Sequence, residues 1–215
     1  LFMQDGELIK QGDIAFEVYA PSQAILKAER LALNCMQRMS GIATMTHKFV
    51  HLVADLPVTI LDTRKTTPLL RFLEKWAVRI GGGSNYRSGL YDRIMIKDNH
   101  VDFCGSITKA IQKVHGYLKE KDLNLEITVE VRNMTELKEV LAIGSINRIM
   151  LDNFDTKTMR DAVALIDKKY EVEASGGITL ETVRSYAETG VDFISVGALT
   201  HSYSSLDLSL KKSNN

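Results

Sequence analysis

The chain has 215 residues, 45% hydrophobic, 7% aromatic and 25% charged, with 27 Lys and Arg against 27 Asp and Glu. That length and composition suit one large domain, or a large one with a small companion, and exclude general disorder. Zero net charge excludes a uniformly basic nucleic-acid-binding surface, yet it leaves local cationic pockets open because a net charge is only a sum.

No apolar run approaches the ~20 residues of a membrane span and no signal-peptide pattern opens the chain, so no membrane partner is expected. Cys35 and Cys104 have no metal-binding spacing and read as free thiols of a reducing, cytoplasmic setting. The first residue is Leu1, and the alternation around Gly6–Gly12 (DGELIKQGD) reads as the middle of a β-hairpin. An N-terminal part of the fold is therefore expected to be missing from this chain.

Residues 13–20 (DIAFEVYA) alternate with the period of a half-buried strand, and Pro21-Ser22 marks a helix start. From Ala24 to about Leu56 the apolar spacing is helical, through Ile25, Leu33, Met36, Met39, Phe49 and Val53. Ser40-Gly41 interrupts it, either as a break between two helices or as a site of close packing.

After Pro57, short Ile/Val/Leu runs alternate with amphipathic stretches. The runs are VTILDTR (58–64), RIMIKD (93–98), ITVEVR (127–132), RIMLDN (148–153), YEVEAS (170–175) and DFISVG (192–197). Helices are expected near 68–78, 105–121, 134–142, 156–168 and 179–189. This β-then-α repetition is that of a parallel sheet with helices outside it, and an open doubly wound sheet and a barrel both fit. Polar residues end nearly every run: Asp62 and Arg64, Lys97 and Asp98, Glu130 and Arg132, Asp152 and Asn153, Ser175, then Gly197. The C-terminal strand ends are the active face of parallel α/β proteins, so the series favours a barrel with an enzyme site there.

Asp62–Pro68 (DTRKTTP) sets two adjacent cations just past a strand, and three glycines precede Arg87 in GGGSNYR. Arg64, Lys65, Arg87 and Lys97 together suit a polyanion, with arginine offering two-pronged contacts to carboxylate or phosphate. Glu130 and Asp152 read either as holders of Mg²⁺ shared with substrate phosphates and water, or as ion-pair partners of those cations. Ser175-Gly176-Gly177 and Ser195-Val196-Gly197-Ala198 are turns that expose backbone N–H groups before a helix, as phosphate sites do.

The segments ERLALNCMQRMSGIAT (29–44), LDTRKTTP (61–68), EKWAVRIGGGSNYRSGLYDRIMIKDNH (74–100), RIMLDNF (148–154), EASGGIT (173–179) and DFISVGALTHS (192–202) resemble the quinolinate phosphoribosyltransferase family. The resemblance implies an incomplete parallel α/β barrel of TIM type, packed on an N-terminal α/β sandwich domain. Residues 1–56 would be the remainder of the sandwich with its connecting helices, 57–200 the catalytic barrel and 201–215 a C-terminal segment. It implies transfer of phosphoribose from phosphoribosyl pyrophosphate to quinolinate with Mg²⁺, giving nicotinate mononucleotide, pyrophosphate and CO₂ for NAD synthesis. It also implies a homodimer with shared active sites.

On this resemblance Thr63, Arg64, Arg87 and Lys97 hold quinolinate, and Arg30 reaches the neighbouring subunit's site. Lys65, Glu130 and Asp152 serve phosphoribosyl pyrophosphate and its metal, while Ser175, Gly176, Gly177, Ser195, Val196, Gly197 and Ala198 form the phosphate-binding loops. Tyr86 stands where the family pattern has His. Other readings are a related pyrophosphorylase-like protein with a different acceptor, a phosphoribosyl pyrophosphate-binding protein without turnover, and a lyase using Lys97 or Lys65 as a Schiff-base nucleophile. No carbonyl-chemistry motif supports the last, and His100 and His201 receive no proton-transfer role.

Overall fold

A computed structural model describes residues 1–212. Of the C-terminal segment expected at 201–215, the last three residues lie outside the described ones.

Helix α1 (Ser22–Leu52) starts where Pro21-Ser22 predicts and runs unbroken through Ser40-Gly41. Close packing is what the glycine serves, because a Cβ on Gly41 would lie 2.3 Å from the Ser204 carbonyl oxygen. The C-terminal segment crosses α1 there, with Gln37 Nε2 donating to the Leu208 carbonyl at 2.8 Å and Leu206 N–H to the Gln37 carbonyl at 3.1 Å.

Two expectations fail. Residues 13–20 form no strand, and no hairpin forms around Gly6–Gly12. Strand backbone needs a neighbour for its hydrogen bonds, and alternation in the side chains does not supply one. Among the described residues no strand lies alongside, and Leu8, Ile14, Val18 and Tyr19 are exposed.

The six apolar runs all become strands: β1 (Thr59–Leu61), β2 (Ile94–Ile96), β3 (Ile127–Val131), β4 (Arg148–Asp152), β5 (Glu171–Ser175) and β6 (Phe193–Ser195). Helices α2 (Arg71–Ile80), α4 (Ile107–Glu120), α5 (Met134–Ile143), α6 (Thr156–Ile166) and α7 (Val183–Ala187) fall in the expected stretches. Side-chain caps start several of them: Ser106 accepts from Lys109 N–H, Asn133 from Thr135 and Glu136 N–H, and Asp155 from Thr158 N–H. Helices α3 (Asp98–Cys104) and α8 (Ala198–His201) are additions, too short to leave a periodic signal.

All strand pairs are parallel, in the order β1-β6-β5-β4-β3-β2. The edges are thus consecutive strands, as in a sheet curled toward closure. Tyr86 spans the gap, its N–H donating to Asp62 Oδ1 beyond β1 at 2.9 Å and its hydroxyl to Thr128 Oγ1 of β3 at 2.8 Å.

Strand parity then divides the side chains. Ile127, Val129, Val131, Ile149, Leu151, Val172, Ala174 and Ile194 face the helices and join one continuous apolar core with Leu137, Val140, Met159 and Ile166. The alternate positions Thr128, Glu130, Arg148, Glu173 and Ser195 are buried as well, but on the barrel's inner side. The interior is therefore mixed, these polar groups standing in register with buried Leu61 and Met150, where barrels of this type usually hold Val, Ile and Leu.

Candidate active site

The loop after β1 starts with a wholly buried acid. Asp62 Oδ1 accepts Lys75 Nζ of α2 at 2.5 Å and Tyr86 N–H at 2.9 Å. Burial pushes its carboxyl above the usual range, against the pull of Lys75 and the Tyr86 N–H. Asp62 thus fastens the loop to its scaffold.

The cations that follow differ from it. Among the described residues Arg64, Lys65 and Arg87 form no ion pair, and Arg64 Nε is buried without a hydrogen-bond partner. Arg87 is buried and donates through Nη1 to the Arg93 carbonyl at 3.0 Å. Burial, and after it the charge of nearby Arg64, works to hold its guanidinium below the ordinary arginine range. Arg64 and Arg87, each outside any ion pair, offer guanidiniums suited to an anion bearing more than one negative charge.

Lys97 and Glu130 take the ion-pair reading in this structure, with Nζ 2.9 Å from Oε2. Lys97 N–H donates to His100 Nδ1 at 2.9 Å, so His100 caps α3. Asp152 Oδ2 accepts from Asn153 Nδ2 at 2.7 Å. Gly176 adopts φ +98°, and a Cβ there would sit 2.2 Å from Asn153 Oδ1, so only glycine lets the β4 and β5 turns approach so closely.

The turn after β6 is partly engaged by the fold. Ser195 Oγ donates into the barrel interior, to Glu173 Oε1, and Val196 N–H is spent on the Leu61 carbonyl at 3.0 Å. Both groups are used by the fold because Ser195 has the inward parity of β6 and Val196 continues its ladder. Gly197 and Ala198 remain half-buried at the mouth, as do Ser175 and Gly176, while Gly177 is exposed. The glycines before Arg87 also serve packing, since a Cβ on Gly81 would lie 2.4 Å from the Ala43 carbonyl oxygen of α1.

A cavity of about 540 Å³ opens beside the loop, lined by Arg38, Lys65, Thr66, Thr67, Thr200, His201, Tyr203 and Ser205. No acid lines it. A second cavity of about 320 Å³ lies against β2, where Arg87, Arg93, Lys113 and His100 edge a mostly apolar wall including Ile94, Ile96 and Tyr117. Lys65 faces the first and Arg87 the second. Arg30 is exposed on α1 and lines neither.

Sequence reasoning passed over Arg38, Glu74 and Tyr203. A signal existed for Glu74, since its spacing to Ala77 and Val78 puts a carboxylate on the buried face of α2. Among the described residues no cluster of three His, Cys, Asp or Glu could hold a metal, and no helix is long and apolar enough to cross a membrane.

The description "Quinolinate phosphoribosyl transferase, C-terminal domain" matches residues 42–211, and the corresponding N-terminal domain matches residues 1–40. A chloroplastic nicotinate-nucleotide pyrophosphorylase (carboxylating) of Arabidopsis thaliana is 48% identical over 224 residues, covering 97% of this chain and 63% of that protein. A probable nicotinate-nucleotide pyrophosphorylase (carboxylating) of Bacillus subtilis is 46% identical over 213 residues, covering 98% of this chain and 71% of that one. The crystal structure of NadC from Streptococcus pyogenes superposes with a TM-score of 0.91 at 40% identity, over 98% of this chain and 72% of that chain. The chain thus spans under two thirds of the Arabidopsis relative's length.

Proposed function

The chain belongs to the quinolinate phosphoribosyl transferase family, and from that premise we propose that it carries the barrel for phosphoribosyl transfer from phosphoribosyl pyrophosphate to quinolinate. The products would be nicotinate mononucleotide, pyrophosphate and CO₂, in NAD synthesis. The single observation that most supports this is a set of cations outside any ion pair, Arg64 and Lys65 just beyond β1 and Arg87 before β2. A dicarboxylate and a pyrophosphate donor are the substrates such a set would neutralise.

Little acid–base work is required. The pyridine nitrogen forms a bond to the anomeric carbon while the bond to pyrophosphate breaks, its electron pair leaving with pyrophosphate. The ring nitrogen is then positive and stabilises the electron pair that stays on ring carbon 2 as the bond to the 2-carboxylate breaks and CO₂ departs; a solvent proton then adds to that carbon. Arg64 and Arg87 would hold the carboxylates, with Thr63 beside them. Lys97 would join them by exchanging Glu130 for a substrate carboxylate. Positioning and charge stabilisation carry the rate in such a step.

Glu130 and Asp152 offer hard oxygen donors suited to Mg²⁺, which takes one or two carboxylates and completes its shell with phosphate oxygens and water. They would hold the ion, and it would offset charge on the departing pyrophosphate. Lys65 and the Ser175–Gly177 and Gly197–Ala198 turns would contact the donor's phosphates. The exposed position of Arg30 fits a residue supplied to a second copy's site in a homodimer.

The test is to incubate the protein with quinolinate, phosphoribosyl pyrophosphate and Mg²⁺. Pyrophosphate and CO₂ should appear in equal amounts; pyrophosphate without CO₂ would assign a different acceptor. Mixing inactive Arg30→Ala and Arg87→Met variants should restore part of the activity if sites are shared, and none if each chain acts alone.

A further inference from the structure

Two adjacent cations with no facing acid should leave their loop free to swing. The backbone after Arg64 is instead fastened residue by residue. Lys65 N–H donates to Thr63 Oγ1 at 3.1 Å, and Thr200 Oγ1 donates to the Lys65 carbonyl at 2.9 Å. Arg71 Nε holds Thr66 Oγ1 at 3.1 Å.

The densest fastening is at Thr67. Glu74, in the first turn of α2 and wholly buried, accepts Thr67 N–H through Oε2 at 3.0 Å. Its Oε1 accepts Arg38 Nε at 3.0 Å and Nη2 at 2.8 Å, and the same Nη2 donates to the Thr67 hydroxyl. The Arg38 guanidinium also lies 5.3 Å from the centre of the Tyr203 ring. Three segments distant in sequence, α1, α2 and the cationic loop, therefore meet through one carboxylate and one guanidinium.

An ion pair serving only to join α1 to α2 would need no contact with the loop. Here both charged groups also bond Thr67, two residues beyond Lys65, and Arg38 lines the same cavity as Lys65. Glu74 neutralises Arg38 and leaves Lys65 as the uncompensated lysine there. We propose that Glu74 and Arg38 are a positioning pair, which through Thr67 fixes the loop so that Lys65 meets an anionic donor in that cavity. The inference rests on the phosphoribosyl-transfer reading for the donor's identity, but not for the mechanics of the loop.

The test compares the unaltered protein with Thr67→Val, Thr67→Ser and Glu74→Gln. Calorimetry with inorganic pyrophosphate gives anion affinity without turnover, and steady-state kinetics give KM and kcat. Thr67→Val and Glu74→Gln should weaken pyrophosphate binding and raise KM for phosphoribosyl pyrophosphate about tenfold, since small displacements of a binding group are costly. The Thr67→Ser variant keeps the hydroxyl and should bind as the unaltered protein does. The unfolding midpoint of each variant separates this from loss of fold, and the two Thr67 variants decide the matter if Glu74→Gln does not fold. Thr67→Val with unchanged pyrophosphate affinity and KM would overturn the positioning role, as would failure of the unaltered protein to bind pyrophosphate. Binding without any turnover would remove the transferase reading, while the contrast between Val and Ser at position 67 would still support or overturn the clamp.

Discussion

The barrel holds two groups of cations that the sequence makes look alike. At the N-terminal strand ends, Arg148 pairs with Glu173 at 3.0 Å and Glu171 at 2.8 Å and lies 3.7 Å from the centre of the Phe193 ring, while Arg93 pairs with Glu126. Arg64 and Lys65, beyond the C-terminal end of β1, and Arg87, in the loop before β2, are given no such partners. The first group is neutralised from within and serves the fold. The second is left for a ligand. A chain whose charges sum to zero can therefore present a cationic mouth, because neutrality is spread unevenly along the barrel axis.

The sharpest way to break this contrast is to remove one partner of the neutralised group. Glu173→Ala would remove the buried partner of Arg148 and leave it only the part-exposed Glu171, so stability should fall by about 3 kcal/mol, the low end of the cost of breaking a buried pair, measured by urea unfolding. At the mouth the reverse is expected. Arg87→Met should leave stability unchanged or raised, since a guanidinium without an acid partner is removed from beside Arg64, while kcat/KM falls roughly 100-fold. A large loss of stability on Arg87→Met would show that this cation also serves the fold.

The two ends should also differ in pH response. Burial, opposed by the Ser195 hydroxyl and Arg148, holds the Glu173 carboxyl above its ordinary 4.5. Its stabilising contribution is complete below that ordinary value and is lost as pH rises through the raised one. Asp92, in the loop after Arg87, runs the other way. Burial pushes it upward, but the Ser88 and Gly89 N–H groups at 2.6 and 3.1 Å outweigh that and set it below the ordinary 3.8. Its contribution is present above 3.8 and disappears as pH falls through the lowered value. Urea titrations at stepped pH should show Glu173→Gln flattening the decline on the alkaline side and Asp92→Asn flattening the acid limb. The smallest effect belongs to a pair outside the barrel. Arg184 bonds Asp55 and Glu188 in the open, and Arg184→Gln should leave the unfolding midpoint within error.

Much of the architecture was legible because it is written in local periods. Runs of Ile, Val and Leu between amphipathic stretches marked all six strands, and Pro21-Ser22 marked the start of α1. The failures share a cause. Residues 13–20 have the side-chain alternation of a strand, but the structure sets no strand beside them. The direction of the Ser195 hydroxyl, inward to Glu173, is likewise set by its parity in β6 and not by its local pattern. The use of Gly81, which lies against Ala43 of α1, depends equally on a segment distant in sequence.

By itself the sequence determined the repeating α/β unit and the cations and carboxylates that follow its strands. It did so because strand and helix periods, turn residues and caps depend on near neighbours along the chain. Only the tertiary structure decided which charges are consumed. Arg38 finds Glu74 across 36 positions, Lys97 finds Glu130 across 33 and Tyr86 finds Thr128 across 42. Such pairings depend on how the sheet curls and how α1 lies on α2, and an ion pair forms only where both partners are brought within reach of each other.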